Sequence, residues 1–119
     1  MIMEGNSKKV VLLAFNVGSK GELVNGPGIS LGNLLKFSKT FNPNISFVVF
    51  SKFLAIDKVD GVRYFSISNK KMLEKEISKA DVVHCWSGLT NNFFDAIKLS
   101  NNLLKPVIIG PNLLDSVEV

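Results

Sequence analysis

Four stretches of this chain, Lys9 to Val17, Ile45 to Ser51, Asp81 to Trp86 and Pro106 to Gly110, are apolar at odd and even positions alike over most of their length. That pattern predicts strands covered on both faces, as in a parallel sheet, whereas the half-alternating Val62 to Ile67 predicts a more exposed strand. Between them, apolar residues return at helical spacing. Leu31, Leu34, Leu35 and Phe41 follow Ser30 and end at Asn42-Pro43-Asn44. Leu73, Ile77 and Ala80 follow a cap at Ser68 or Asn69. Phe93 or Phe94, Ile97 and Leu104 follow Thr90 and complete a third predicted helix. The segment from Lys52 to Gly61 carries Asp57, Asp60 and Gly61 and reads as turn chemistry with no helix. Strand otherwise alternates with helix. The expected fold is therefore α/β, a Rossmann-like parallel sheet of about five strands with right-handed crossovers and helices on both faces.

A length of 119 residues fits one domain, and 46% apolar with 20% charged residues is enough to bury a core. The net charge of +4 suggests mild attraction to anions, yet Lys70, Lys71, Lys75 and Lys79 alternate with Glu74 and Glu76 on one predicted helix. That helix reads as a mixed-charge surface, and no aromatic residues interleave with it to suggest nucleic-acid binding. Cys85 is the only cysteine, so an internal disulfide is excluded and a buried small hydrophobe in a reducing compartment is expected. No run approaches the roughly 20 apolar residues that span a bilayer. The expected location is cytoplasmic, with peripheral membrane contact left open.

Where buried parallel strands end in small or polar residues, an open α/β sheet presents its ligand crevice. Trp86-Ser87-Gly88 and Gly110-Pro111-Asn112 are such endings, which makes His84 a candidate site residue. As the single histidine it can belong to no His cluster, so no metal site is expected. His84 and Cys85 point to opposite faces of their strand and cannot act as base and nucleophile. A lone imidazole at a strand end also has a purely structural reading, in which it hydrogen-bonds a neighbour.

The glycine-rich stretch Gly18 to Gly28 invites a dinucleotide reading, but Gly26-Pro27-Gly28 comes too long after the first strand, and the second strand ends in Ser51-Lys52 without a ribose-holding acid. A P-loop is excluded because no Gly-Lys-Ser/Thr closes the loop. The backbone N–H groups around Gly28 to Ser30 could still receive an anion at a helix N-terminus.

Gly26-x-Gly28 opening the first helix, Asp81-Val82-Val83-His84 closing a strand, and Lys105-Pro106-Val107-Ile108 leading to Gly110-Pro111-Asn112 resemble, in order and spacing, the N-terminal domain of GT-B fold glycosyltransferases. The likeness is to the glycogen synthase and phosphatidylinositol mannosyltransferase type and covers most of the chain. It implies an acceptor-side domain, with the nucleotide-sugar donor held chiefly by a second domain. By that resemblance Gly26, Gly28 and Ile29 would face the donor diphosphate. His84, Trp86, Ser87 and Asn112 would line the sugar or acceptor cleft, with no metal, no cofactor and no catalytic side chain assigned.

Two departures stand out. The family's Gly-Gly pair is Gly-Pro-Gly here, and the chain reads as a truncated GT-B half without a donor domain, inactive alone and requiring a second domain or subunit. The reaction expected is a retaining, metal-independent sugar transfer to an unknown sugar or glycoconjugate acceptor, without nucleic acid. The alternative is a non-catalytic Rossmann-like interaction module that self-associates through an open edge and Leu113-Leu114.

Overall fold

The computed structural model describes residues 7–14, 25–51, 58–59, 61–86 and 91–110. In chain order they form strand β1 (Lys8–Leu13), helix α1 (Asn25–Phe41), strands β2 (Ile45–Ser51), β3 (Lys58–Val59) and β4 (Val62–Ser66), helix α2 (Lys70–Lys79), strand β5 (Val82–Cys85), helix α3 (Asn91–Asn102) and strand β6 (Val107–Ile109). Five strands are parallel in the order β4-β2-β1-β5-β6, and β3 adds an antiparallel pair at the outer edge of β4. The expected α/β, Rossmann-like parallel sheet is therefore the fold observed.

Both faces are covered. Leu12, Ala14, Val49, Tyr64 and Trp86 form one apolar layer with Leu31 of α1. Val11, Leu13, Val48, Phe50, Val83 and Cys85 form the other with Leu73 and Ile77 of α2 and Phe93 and Ala96 of α3. This is why β1 and β2 have no polar alternation: Val11, Leu12 and Leu13 are each fully buried, and each contributes about 1.5–3 kcal/mol relative to exposure. Right-handed crossovers leaving β1 and β5 in opposite directions put α1 and α3 on opposite faces.

Several boundaries differ from the sequence expectation for identifiable reasons. Helix α1 starts at Asn25 rather than near Ser30, so Gly26, Pro27 and Gly28 belong to its first turn. Proline fits there because a first-turn N–H has no partner within the helix to lose. The short strand β3 lies within the segment whose sequence predicts only turn. Val59 pairs with Val62 across Asp60-Gly61, and Gly61 adopts φ +84°, which only glycine adopts freely. Phe41, at helical spacing with Leu31, Leu34 and Leu35, is 68% exposed, and Leu104, whose spacing predicts a core-facing position, is 89% exposed. Phe41 ends a helix of 17 residues, about 25 Å long, that outruns a six-residue strand of about 20 Å.

Leu104 lies past the end of α3, where its amide donates to the Asn101 carbonyl (3.0 Å) and the Lys105 amide donates to Ser100 (2.9 Å). Those two bonds define a Schellman cap, with Leu104 at the left-handed position (φ 58°) that glycine usually fills.

Glu76 departs most from expectation. The lysines around it predict a solvated mixed-charge face, but it is 1% exposed, beneath α2 with Leu73 and Ile77. Arg63 of β4 grips it with two hydrogen bonds, Nη1 to Oε2 at 3.0 Å and Nη2 to Oε1 at 3.1 Å, and Lys9 of β1 pairs with Oε1. Burial would raise its pKa, but the hydrogen bonds and charges of Lys9 and Arg63 outweigh that and hold the carboxyl below its ordinary 4.5.

Candidate ligand crevice at the carboxyl edge

The chain leaves β1 toward β2 on one side, while α2 returns it across β1 to β5 on the other. The carboxyl ends of the adjacent strands β1 and β5 are thus the topological switch point, where open α/β sheets receive ligands. The two ends are level: Leu12 pairs with His84 and Leu13 with Cys85. The Trp86 amide donates to the Leu13 carbonyl (2.9 Å) and the Ala14 amide to Phe50 (3.0 Å), which extends the ladder to the rim.

Helix α1 must descend from this rim, because its far end leads into the start of β2, where the Ile45 amide donates to Asn42 (3.0 Å). Leu31 in its first half packs in one layer with Ala14 and Trp86, consistent with that direction. The first turn holding Gly26 and Gly28 is therefore at the carboxyl edge, on the face that His84 shares with Trp86. That turn has no acidic residue, so the positive end of the helix dipole meets no carboxylate of its own.

The imidazole of His84 is half-buried and shows its Nε2 to the carbonyl of Gly110. A carbonyl only accepts, so Nε2 carries the hydrogen, and in the neutral ring Nδ1 is left as an acceptor. That nitrogen has no hydrogen-bond partner among the described residues. The edge of the Trp86 indole, with ring centroids 5.4 Å apart, fixes the plane of the imidazole. Gly110 is tied to β5 twice, since its own amide also donates to the Cys85 carbonyl (3.1 Å). Its φ of +119° favours glycine, and the space where a Cβ would go is open, so backbone conformation alone sets the requirement.

The remaining candidates divide. Trp86 is 7% exposed and forms a wall of the apolar layer beneath α1 more than a surface. Gly26, Gly28 and Ile29 lie in the first turn of α1, and Ser87 and Asn112 fall outside the described residues. Cys85 points into the opposite layer, fully buried, and burial pushes its thiol up to about 11, which makes it inert at neutral pH. Among the described residues no three His, Cys, Asp or Glu side chains come together as a metal site would require. No described helix is long and apolar enough to cross a membrane.

Sequence reasoning found the histidine but not its tie to Gly110, for which the signal was its register. Ile108 pairs with His84, which puts Gly110 two residues beyond that pairing, just past the end of the next strand. What the rim can do chemically is bind: it offers a positive helix end, an acceptor nitrogen and strand-end backbone groups. The fold is an open α/β sheet of Rossmann type whose topological switch point lies at this rim. Comparison with family models and with curated proteins gives no match to this chain.

Proposed function

We propose that this chain is the acceptor-side half of a glycosyltransferase that takes its sugar from a nucleotide-sugar donor and works with a second, donor-holding domain or subunit. The observation that carries the reading is the shared rim: the Gly26-Pro27-Gly28 turn and the His84 imidazole occupy one edge and one face of the sheet, at the switch point. That arrangement is what the resemblance of their sequence motifs requires.

In this reading the bond between the anomeric carbon and the donor phosphate oxygen breaks. The acceptor oxygen bonds to that carbon on the same face, and its proton passes to the departing diphosphate. The α1 dipole end stabilises charge growing on the diphosphate, which is electrostatic preorganisation and needs no metal. His84 Nδ1 accepts a hydrogen bond from a sugar hydroxyl and positions it, while Nε2 stays committed to Gly110. Cys85 takes no part.

The test is ligand-observed NMR binding of nucleotide sugars and simple sugar acceptors to the wild-type chain, His84→Ala and His84→Gln. Acceptor sugars are expected to bind saturably to the wild type and to lose binding in both variants, with nucleotide binding weak in the absence of the donor domain. Tight binding of a free nucleotide would overturn the division of labour, and sugar binding that ignores both substitutions would remove His84 from the site. A second reading, a self-associating binding module, draws on β6, where Ile108 and Ile109 at the sheet margin are 50% and 44% exposed. A concentration-dependent dimer broken by Ile108→Lys, combined with no sugar binding, favours it.

A further inference from the structure

The two nitrogens of the His84 ring have different obligations. Nε2 faces the Gly110 carbonyl, which only accepts, so Nε2 carries a hydrogen whether the ring is neutral or protonated. The proton that a histidine gains between about pH 8 and about pH 5 therefore goes on Nδ1, which changes from acceptor to donor. Trp86, packed against the ring at 5.4 Å between centroids, keeps it from turning to exchange the two nitrogens. On the elements that share this face, Leu12 of β1, Ile108 of β6 and Leu31 of α1 do not titrate. The lysines of those elements, Lys8 on β1, Lys36 and Lys39 in the second half of α1 and Lys105 just before β6, stand toward the amino edge, and Lys9 turns to the other layer to pair with Glu76. The four carboxylates among the described residues lie elsewhere too. Glu74 and Glu76 on α2 and Asp95 on α3 belong to the helices of the opposite layer, and Asp81 accepts from the Lys9 amide (2.8 Å) at the amino edge. A proton on His84 thus meets no counter-ion among the described residues, whereas the charge of Glu76 meets two.

We propose that His84 makes the carboxyl edge an acid-gated oxyanion site, in which the protonated ring donates from Nδ1 to a sulfate, phosphate or carboxylate oxygen that the neutral ring does not hold. The inference rests on the reading in which Nδ1 faces the ligand. A sugar hydroxyl both donates and accepts, so it pairs with either form of the ring. An oxyanion only accepts and pairs with the protonated form alone. The gate thus adds a ligand class at low pH without giving up the first. Solvent supplies the proton, no covalent bond changes, and the bond to Gly110 persists in both states. Glu76 titrates below its ordinary 4.5 and the Cys85 thiol is pushed up to about 11, so neither changes charge in this window. His84 is the only histidine of the chain, so one residue carries the gate.

The test follows the His84 ring of the full chain by ¹⁵N NMR from about pH 8 to about pH 5.5, with sodium sulfate titrated at each end at constant ionic strength. Sulfate stays divalent throughout, so any gain belongs to the protein. Nδ1 is expected to take up the hydrogen while Nε2 keeps the signature of a bonded N–H. Sulfate is expected to bind saturably at the acid end and about tenfold more weakly at the alkaline end. His84→Gln keeps a donor for Gly110 and should bind sulfate equally weakly at both. In the wild type, sulfate should displace methyl glucoside at the acid end only. A ring that stays neutral over the range, a hydrogen that leaves Nε2, sulfate affinity that ignores pH, or gated binding that persists in His84→Gln would each overturn the proposal. Gated sulfate binding without any glucoside binding keeps the gate and removes the sugar, and glucoside binding without gated sulfate does the reverse.

Discussion

Glu76 and His84 are both polar residues set into apolar layers of the same sheet, and they are satisfied to different degrees. Glu76, under α2, has both carboxylate oxygens taken by Arg63 and one shared with Lys9, all within the fold. His84, on the other face, spends Nε2 on Gly110 and leaves Nδ1 at the rim. A buried polar group whose capacity is used up internally ties elements together, here α2 to β1 and β4. One that is half used among the described residues, at the carboxyl edge, is held in place with an acceptor that none of them engages. The difference separates a residue whose bonding is completed within the fold from one that is a candidate for binding.

The largest effect expected from breaking the comparison is at Glu76. Glu76→Ala should cost about 2 kcal/mol in denaturant unfolding, less than for a fully enclosed ion pair because Lys9 and Arg63 both reach water, and should leave sugar binding unchanged. The acid limb of stability sharpens the point. Because the folded carboxyl titrates below its ordinary 4.5, its contribution is fully present above 4.5 and is lost as pH falls through the lower folded value. Melting temperature should drop over that window in the wild type, and the part of the drop due to Glu76 should be missing in Glu76→Gln.

At His84 the expectation inverts. His84→Ala should lose about 1 kcal/mol, the worth of one hydrogen bond to Gly110, whereas His84→Gln keeps a donor there and retains most of that stability. Both should lose acceptor binding. Equal binding by His84→Gln and wild type would make His84 as structural as Glu76. The smallest effect is remote from both residues: Leu104→Gly should stabilise the chain by about 1 kcal/mol, since it relieves a left-handed leucine at an exposed cap. Melting temperatures of the two proteins decide it.

The sheet was legible because covered parallel strands leave continuous apolar runs, and β2 and β5 fall where those runs are, while β4 falls on the half-alternating stretch that predicts a more exposed strand. The two ends of α1 were less legible. Glycine and proline read as loop although a first turn accepts both, and helical periodicity continued to Phe41 after the sheet beneath had ended. Glu76 was hidden by its charge. Its spacing from Leu73, Ile77 and Ala80 places it on the buried stripe, but only the tertiary approach of Lys9 and Arg63 from separate strands makes that position tolerable. At the site, the sequence indicated His84 and the glycines by their place at strand and helix ends. It could not show that Gly110 fixes the imidazole, because that bond depends on the pairing of β5 with β6 and on a glycine backbone angle.

The rim itself is tested most directly by ¹⁵N NMR of His84 and of the backbone amides of α1 during titration with a nucleotide sugar and a sugar acceptor in excess. Nδ1 of His84 and the amides of Asn25, Gly26 and Gly28 should move together along one binding curve while Nε2 keeps the signature of a bonded N–H. Movement of one set without the other, or of neither, would contradict a single ligand site at the carboxyl edge.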